Sequence, residues 1–173
     1  MDDAFDTALS GLRNGDFSRL APLFAAGGGT VGRSRIVEWH AQGLFLEHPA
    51  ELAEALTCAC FLGERETLEY LLAQGLAPSG GSLSGMSAAH VAASRGHVDV
   101  LRVLLRHGAP LEVRNMYGGT VLAQAVWSAV HQPMAGQRAA IEELVRAGAN
   151  RREVELPTGD AELDALLSRR ELG

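Results

Sequence analysis

Gly63, Leu71, Leu72 and Gly75 recur in kind 33 positions later as Gly96, Leu104, Leu105 and Gly108. Ala59 and Gly85 map onto Ala92 and Gly118 at the same offset. A period of about 33 residues means that one small unit is laid down several times and stacked on its neighbours. The clearest copy runs from Gly85 to Tyr117, with two short apolar stripes at helical spacing, each ended by a glycine, and then an extended tail. No short unit of this kind buries its own apolar face, so the fold has to be an array.

The motifs in that copy carry a resemblance. The run Ser87-Ala88-Ala89-His90-Val91-Ala92-Ala93, the pair Gly96-His97, then Leu104-Leu105, Gly108-Ala109 and Gly118-Gly119-Thr120 resemble an ankyrin repeat. The usual T-P-L-H is altered to Ser87-Ala88-Ala89-His90 here and to Thr120-Val121-Leu122-Ala123 in the next copy. The resemblance implies an all-α solenoid of stacked helix–turn–helix units with hairpin loops and capping helices. It also implies that His90 and His97 brace loops by hydrogen bonds within or between repeats.

On this plan the whole chain, 1–173, is one such domain, with repeats at 2–27, 50–77, 85–111 and 118–150 and a final capping helix at 158–170. In the first repeat Asp2 or Asp3 caps one helix and Asp16 the next, and Gly27-Gly28-Gly29 stops it. In the last helix Thr158 is the expected cap, and Arg169, Arg170 and Glu171 form a polar outer face. Two insertions interrupt the register. The first, near 28–47, carries Ile36, Val37, Trp39, Leu44, Phe45 and Leu46, too apolar for a solvated loop. A short helix over Arg33–Gln42 that folds back on the solenoid is expected there. The second, near 128–137, is a loop around Pro133 and Gly136 or a lengthened helix followed by a turn.

Composition narrows the function. A net charge of −6 opposes binding to phosphate backbones, which needs clustered basic residues, so nucleic acid is not an expected partner. No stretch approaches a membrane span, and the acidic start Met1-Asp2-Asp3 lacks the plan of a signal peptide, so a cytoplasmic location is expected. All 15 basic residues are arginine, which fits GC-rich codon usage and a bacterial source. Cys58 and Cys60 lie two apart on a predicted helix and read as free thiols in a reducing compartment. Their spacing lacks the further cysteine or histidine pair of a structural zinc site, and Glu38-Trp39-His40 lacks the i, i+4 geometry of zinc-binding helices. No phosphate loop, nucleophile elbow or cofactor motif is present, so neither a cofactor nor a metal is expected and no catalytic residue is assigned.

The family's variable positions, on hairpin tips and the inner-helix face, usually contact a partner protein. Carried over, they fall on Phe61, Leu83, Met86, Arg95, Met116, Tyr117 and Trp127, with Arg114 and Arg95 as polar anchors at the rim. Polar residues would be ordinary there, whereas most of these are apolar or aromatic, the composition of an interface centre. Two readings follow: an open, partner-binding face, or ordinary core covered by the 28–47 insertion. The function expected is a non-catalytic protein-binding module. The alternatives are an acidic immunity or inhibitor protein that neutralises a basic toxin or enzyme, and a hydrolase working through His40, Cys58 or His131.

Overall fold

The structure, a computed structural model, describes residues 3–25 and 33–168. Among these the chain forms ten α-helices, one short 3-10 turn and no strand. They are α1 (Asp3–Asn14), α2 (Phe17–Phe24), α3 (Arg35–Ala41), α4 (Pro49–Leu62), α5 (Arg65–Ala73), α6 (Ala88–Ser94), α7 (Val98–Arg106), α8 (Val121–His131), α9 (Gln137–Arg146) and α10 (Ala161–Ser168), with the 3-10 turn at Arg151–Glu153.

The pairing follows from the side chains. In α6, Ala88, Ala89, Ala92 and Ala93 are buried, so a slim helix packs closely between α4 on one side and α8 on the other. Ser87 caps it: its hydroxyl accepts the His90 N–H while the His90 ring accepts the Ser87 N–H, a reciprocal cap that satisfies two free donors. Val100, Leu101, Val103 and Leu104 turn the inner stripe of α7 onto this row. Helices α1, α4, α6 and α8 thus form an inner row, and α5, α7 and α9 an outer row. This is the helical solenoid expected from the 33-residue register.

The histidines connect the repeats as the resemblance implies. The Nε2 of His90 bonds to the Gly119 carbonyl of the following repeat at 3.1 Å, and that of His97 to the Phe61 carbonyl of the preceding one at 3.0 Å.

The described part of the first insertion joins the outer row. Helix α3 lies between α2 and α5, capped by the Ser34 hydroxyl, which accepts the Val37 N–H. Trp39 and Phe45 are buried against Phe5 of α1, with ring centroids 5.2 and 5.0 Å away in edge-to-face geometry. Burial of such side chains contributes about 1.5–3 kcal/mol each, which holds a helix far too short to be stable alone. Leu46 departs from the expectation: it is 82% exposed while Phe45 beside it is buried. The second insertion resolves as a lengthened α8 followed by a turn over 132–136.

Two caps differ from the sequence expectation. Asp16 stands at the N-terminus of α2 but its side chain makes no capping bond, because its backbone is not extended there. At α10 the cap is Asp160, whose carboxylate accepts the N–H groups of Glu162 and Leu163. Thr158 instead bonds to Asp164 and receives the Asp160 N–H, fixing the turn before the helix. The expected cap at Asp2, the stop at Gly27–Gly29 and the polar face at Arg169–Glu171 lie outside the described residues.

Between α1 and α4 an ion pair joins Arg13 to the buried Glu51. Burial works against the Glu51 charge. Its own backbone hydrogen bond and the Arg13 guanidinium outweigh burial and hold the carboxyl below its ordinary range.

Candidate protein-binding face

The two hairpin tips are held from below by inner-helix side chains. On α4 the Glu54 carboxylate accepts the Ser84 N–H at 3.0 Å and the Ser84 hydroxyl at 3.2 Å, and Thr57 accepts the Gly81 N–H at 2.9 Å. Glu54 is fully buried with no cation beside it among the described residues, and desolvation pushes its carboxyl above the ordinary range, although the Ser84 and Leu83 N–H groups oppose that shift.

The second tip turns on Asn115, also buried. Its side-chain oxygen accepts the N–H groups of Tyr117 and Gly119, both at 3.0 Å, and its amide donates to Gln124 of α8 at 2.8 Å. Asn115 thereby closes a local side-chain turn that a loop peptide would otherwise have to close with its backbone. The tips are joined where the Met116 N–H donates to the Gly85 carbonyl at 2.9 Å.

On this frame the assigned residues separate. Leu83, Met116, Tyr117 and Trp127 are exposed, Met116 at 65% and Tyr117 at 80%. Met86 is half-buried and packs on the core. Phe61 and Arg95 are not an open part of the face. The Arg95 guanidinium carbon lies 4.3 Å from the centre of the Phe61 ring, and Phe61 meets Phe17 edge-on at 5.6 Å. Arg95 therefore covers an aromatic ring instead of standing at the rim. Arg114 is exposed and already engaged, donating to the Gly118 carbonyl and to Glu153, each at 2.8 Å.

Tyr117 and Trp127 border one cleft of about 830 Å³ together with Gln124, Gln132, Glu153 and Glu155. The described part of the first insertion packs in the outer row and supplies none of these lining residues. Glu54, Asn115, Gln124, Glu153 and Glu155 were not singled out by sequence reasoning. For Glu54 a signal existed: it stands 33 and 66 positions before the capping residues Ser87 and Thr120, at the register of a residue that serves the loop.

The groups considered for catalysis lie apart. Cys58 and Cys60 are fully buried free thiols, and desolvation pushes both far above the ordinary thiol range, so neither supplies a thiolate nucleophile. His40 bonds to the Tyr70 hydroxyl at 2.9 Å, and His131 stacks on Trp127 with its Nδ1 2.8 Å from the Trp127 carbonyl. Among the described residues no group of three histidine, cysteine or acidic side chains is placed to hold a metal ion, and no helix is long and apolar enough to cross a membrane.

Residues 56–153 match the family model described as ankyrin repeats, three copies. Over 80 residues the chain is 35% identical to the potassium channel AKT2/3 of Arabidopsis thaliana, a stretch covering 46% of this chain and 10% of the channel. The aligned stretch thus takes in only a small part of that much longer relative.

Proposed function

The chain belongs to the ankyrin-repeat family, whose members generally serve as protein–protein interaction modules, and on that premise we propose that it binds a partner protein without catalysing a reaction. The proposed contact surface is the inner face and the hairpin tips, with Leu83, Met116, Tyr117 and Trp127 at its centre and Met86 and Arg114 beside them. Phe61 and Arg95 support this surface from within. The observation that carries the reading is the exposure of Met116, Tyr117 and Trp127 on a loop and helix joined by the side-chain bonds of buried Asn115. Large apolar side chains on a rigid, open frame are what interface centres are made of, because little ordering entropy is lost when they are covered.

The test replaces Met116, Tyr117 and Trp127 together with aspartate. Partner capture from the native host should be lost while the helical circular dichroism and melting temperature stay near those of the parent. Undiminished capture would place the contact elsewhere.

A narrower reading rests on the net charge of −6: the partner is a basic toxin or enzyme that the acidic surface neutralises. Association would then slow steeply with added salt, since long-range attraction is screened beyond about 10 Å at 0.1 M ionic strength. A salt-independent association rate would leave the module reading and remove this one.

A further inference from the structure

Phe61, Ser94 and Trp127 occupy one position on the three inner helices α4, α6 and α8, at successive offsets of 33 residues. At the first of them the ring is covered by the next inner helix, whose C-terminal Arg95 lays its guanidinium over Phe61 at 4.3 Å. At the last, no further inner helix follows among the described residues. After α9 the chain makes the Arg151–Glu153 turn and runs to α10 on α9, and among the described residues no arginine covers Trp127 as Arg95 covers Phe61. One stacking contact is made, with His131 at 4.6 Å and 18° between planes, and the indole remains 48% exposed.

The surroundings of Trp127 favour a cation. None of the residues lining its cleft is basic, two are acidic and two are glutamines. Glu153 is engaged by Arg114, whereas Glu155 is exposed and makes no ion pair with any described residue. An aromatic face beside an uncompensated carboxylate attracts a positive charge through both the ring quadrupole and simple Coulomb attraction. Of the two basic side chains, the planar guanidinium stacks on a ring and spreads several donors toward carboxylate and amide oxygens, which an ammonium does not.

We propose that this cleft takes an arginine side chain of the partner protein, its guanidinium laid on Trp127 and its charge directed to Glu155, as Arg95 is laid on Phe61 within the chain. The proposal rests on the binding-face reading above and gives that face its chemistry. The occupant is an arginine-bearing segment of that partner, with Tyr117 beside it at the hairpin tip.

The probe is a blocked pentapeptide with arginine between two pairs of glycines, compared with the same peptide carrying citrulline, which keeps the shape and removes the charge. Trp127 and Trp39 give two indole N–H resonances, and buried Trp39 serves as the internal reference. The arginine peptide should shift the Trp127 resonance saturably and leave Trp39 in place. Citrulline in place of arginine should weaken binding about fivefold, the scale of an exposed cation–π contact joined to one ion pair, and Glu155→Gln in the protein about twofold to threefold, the ion pair alone. Trp127→Leu should remove binding without lowering the melting temperature. Equal binding of the citrulline peptide, or no Trp127 shift at millimolar arginine peptide, overturns the proposal. If the triple aspartate variant loses its partner while Glu155→Gln keeps it at full affinity, the binding face stands and the arginine reading falls. If neither variant affects capture, both fall.

Discussion

The hydrogen bonds of His90 determine which of its ring nitrogens carries the proton. Nδ1 lies 3.3 Å from the Ser87 N–H and 2.8 Å from the Ser87 hydroxyl and must accept, so Nε2 donates to the Gly119 carbonyl. A second proton on Nδ1 would face the Ser87 N–H, a donor against a donor, in a buried site. Burial lowers the His90 pKa from 6.5, and the Gly119 carbonyl opposes this only in part. The folded state therefore holds His90 neutral below the pH at which the unfolded chain protonates. Its contribution is fully present above about pH 6.5 and is lost as pH falls through the lowered folded-state value. His90→Asn should cost about 1–3 kcal/mol at pH 7.5, the range for leaving buried groups unpaired. That deficit should shrink on going to pH 5.5, as measured by urea unfolding of parent and variant at both values. A constant deficit would mean that His90 titrates alike in the folded and unfolded states, and a deficit that grows at pH 5.5 would mean that the fold holds it charged. The position of this histidine is legible from its motif. Asn115 is not, and Glu54 shows only its register, because a polar residue in a loop or on a helix gives no sign of how deeply the next repeat will bury it.

At the level of elements, the length of each insertion is readable from the broken register and its seat is not. Seven residues enter the fourth repeat, lengthening α8 and the turn after it, and the structure lays their end on Gly96. A Cβ at Gly96 would stand 2.1 Å from the Ala135 carbonyl oxygen and 2.7 Å from the Gln137 nitrogen, and Gln137 donates to the Ser94 carbonyl. From sequence Gly96 needs only its role as a helix stop, with φ at +73°, and that role hides the close approach. Gly108, at φ +76°, makes the same kind of stop with open space around it. Alanine at Gly108 should thus cost about 1–2 kcal/mol for the left-handed backbone alone. Alanine at Gly96 should cost about 1–3 kcal/mol more, because a backbone carbonyl has to move. Denaturant midpoints of the two variants make the comparison, and equal losses would show that the turn over 132–136 does not rest on Gly96.

At the scale of the molecule, the question that most affects function is which side of the solenoid the first insertion covers. Its apolar residues require burial but carry no direction, since Trp39 and Phe45 would satisfy either face equally well. The structure directs them to Phe5 and sets α3 between α2 and α5, leaving the tips and the Trp127 cleft to solvent. In a stacked array each unit is stabilised mainly by its neighbours, so damage at one end need not spread. Trp39 is 1% exposed, and Trp39→Ala should cost about 3–5 kcal/mol, the range for emptying a large aromatic site. That loss should fall on α1–α3. Hydrogen exchange should show amides of Leu9, Leu12 and Leu20 losing protection first, while those of Leu101, Leu104, Leu122 and Ile141 keep most of theirs. The partner capture proposed for Met116, Tyr117 and Trp127 should survive at temperatures where α1–α3 have opened, because Glu54, Asn115 and Gln124 hold that face from within later repeats. Uniform loss of protection from Leu9 to Ile141 would mean instead that the array opens as one cooperative unit, with α3 as necessary to the binding face as the repeats that carry it.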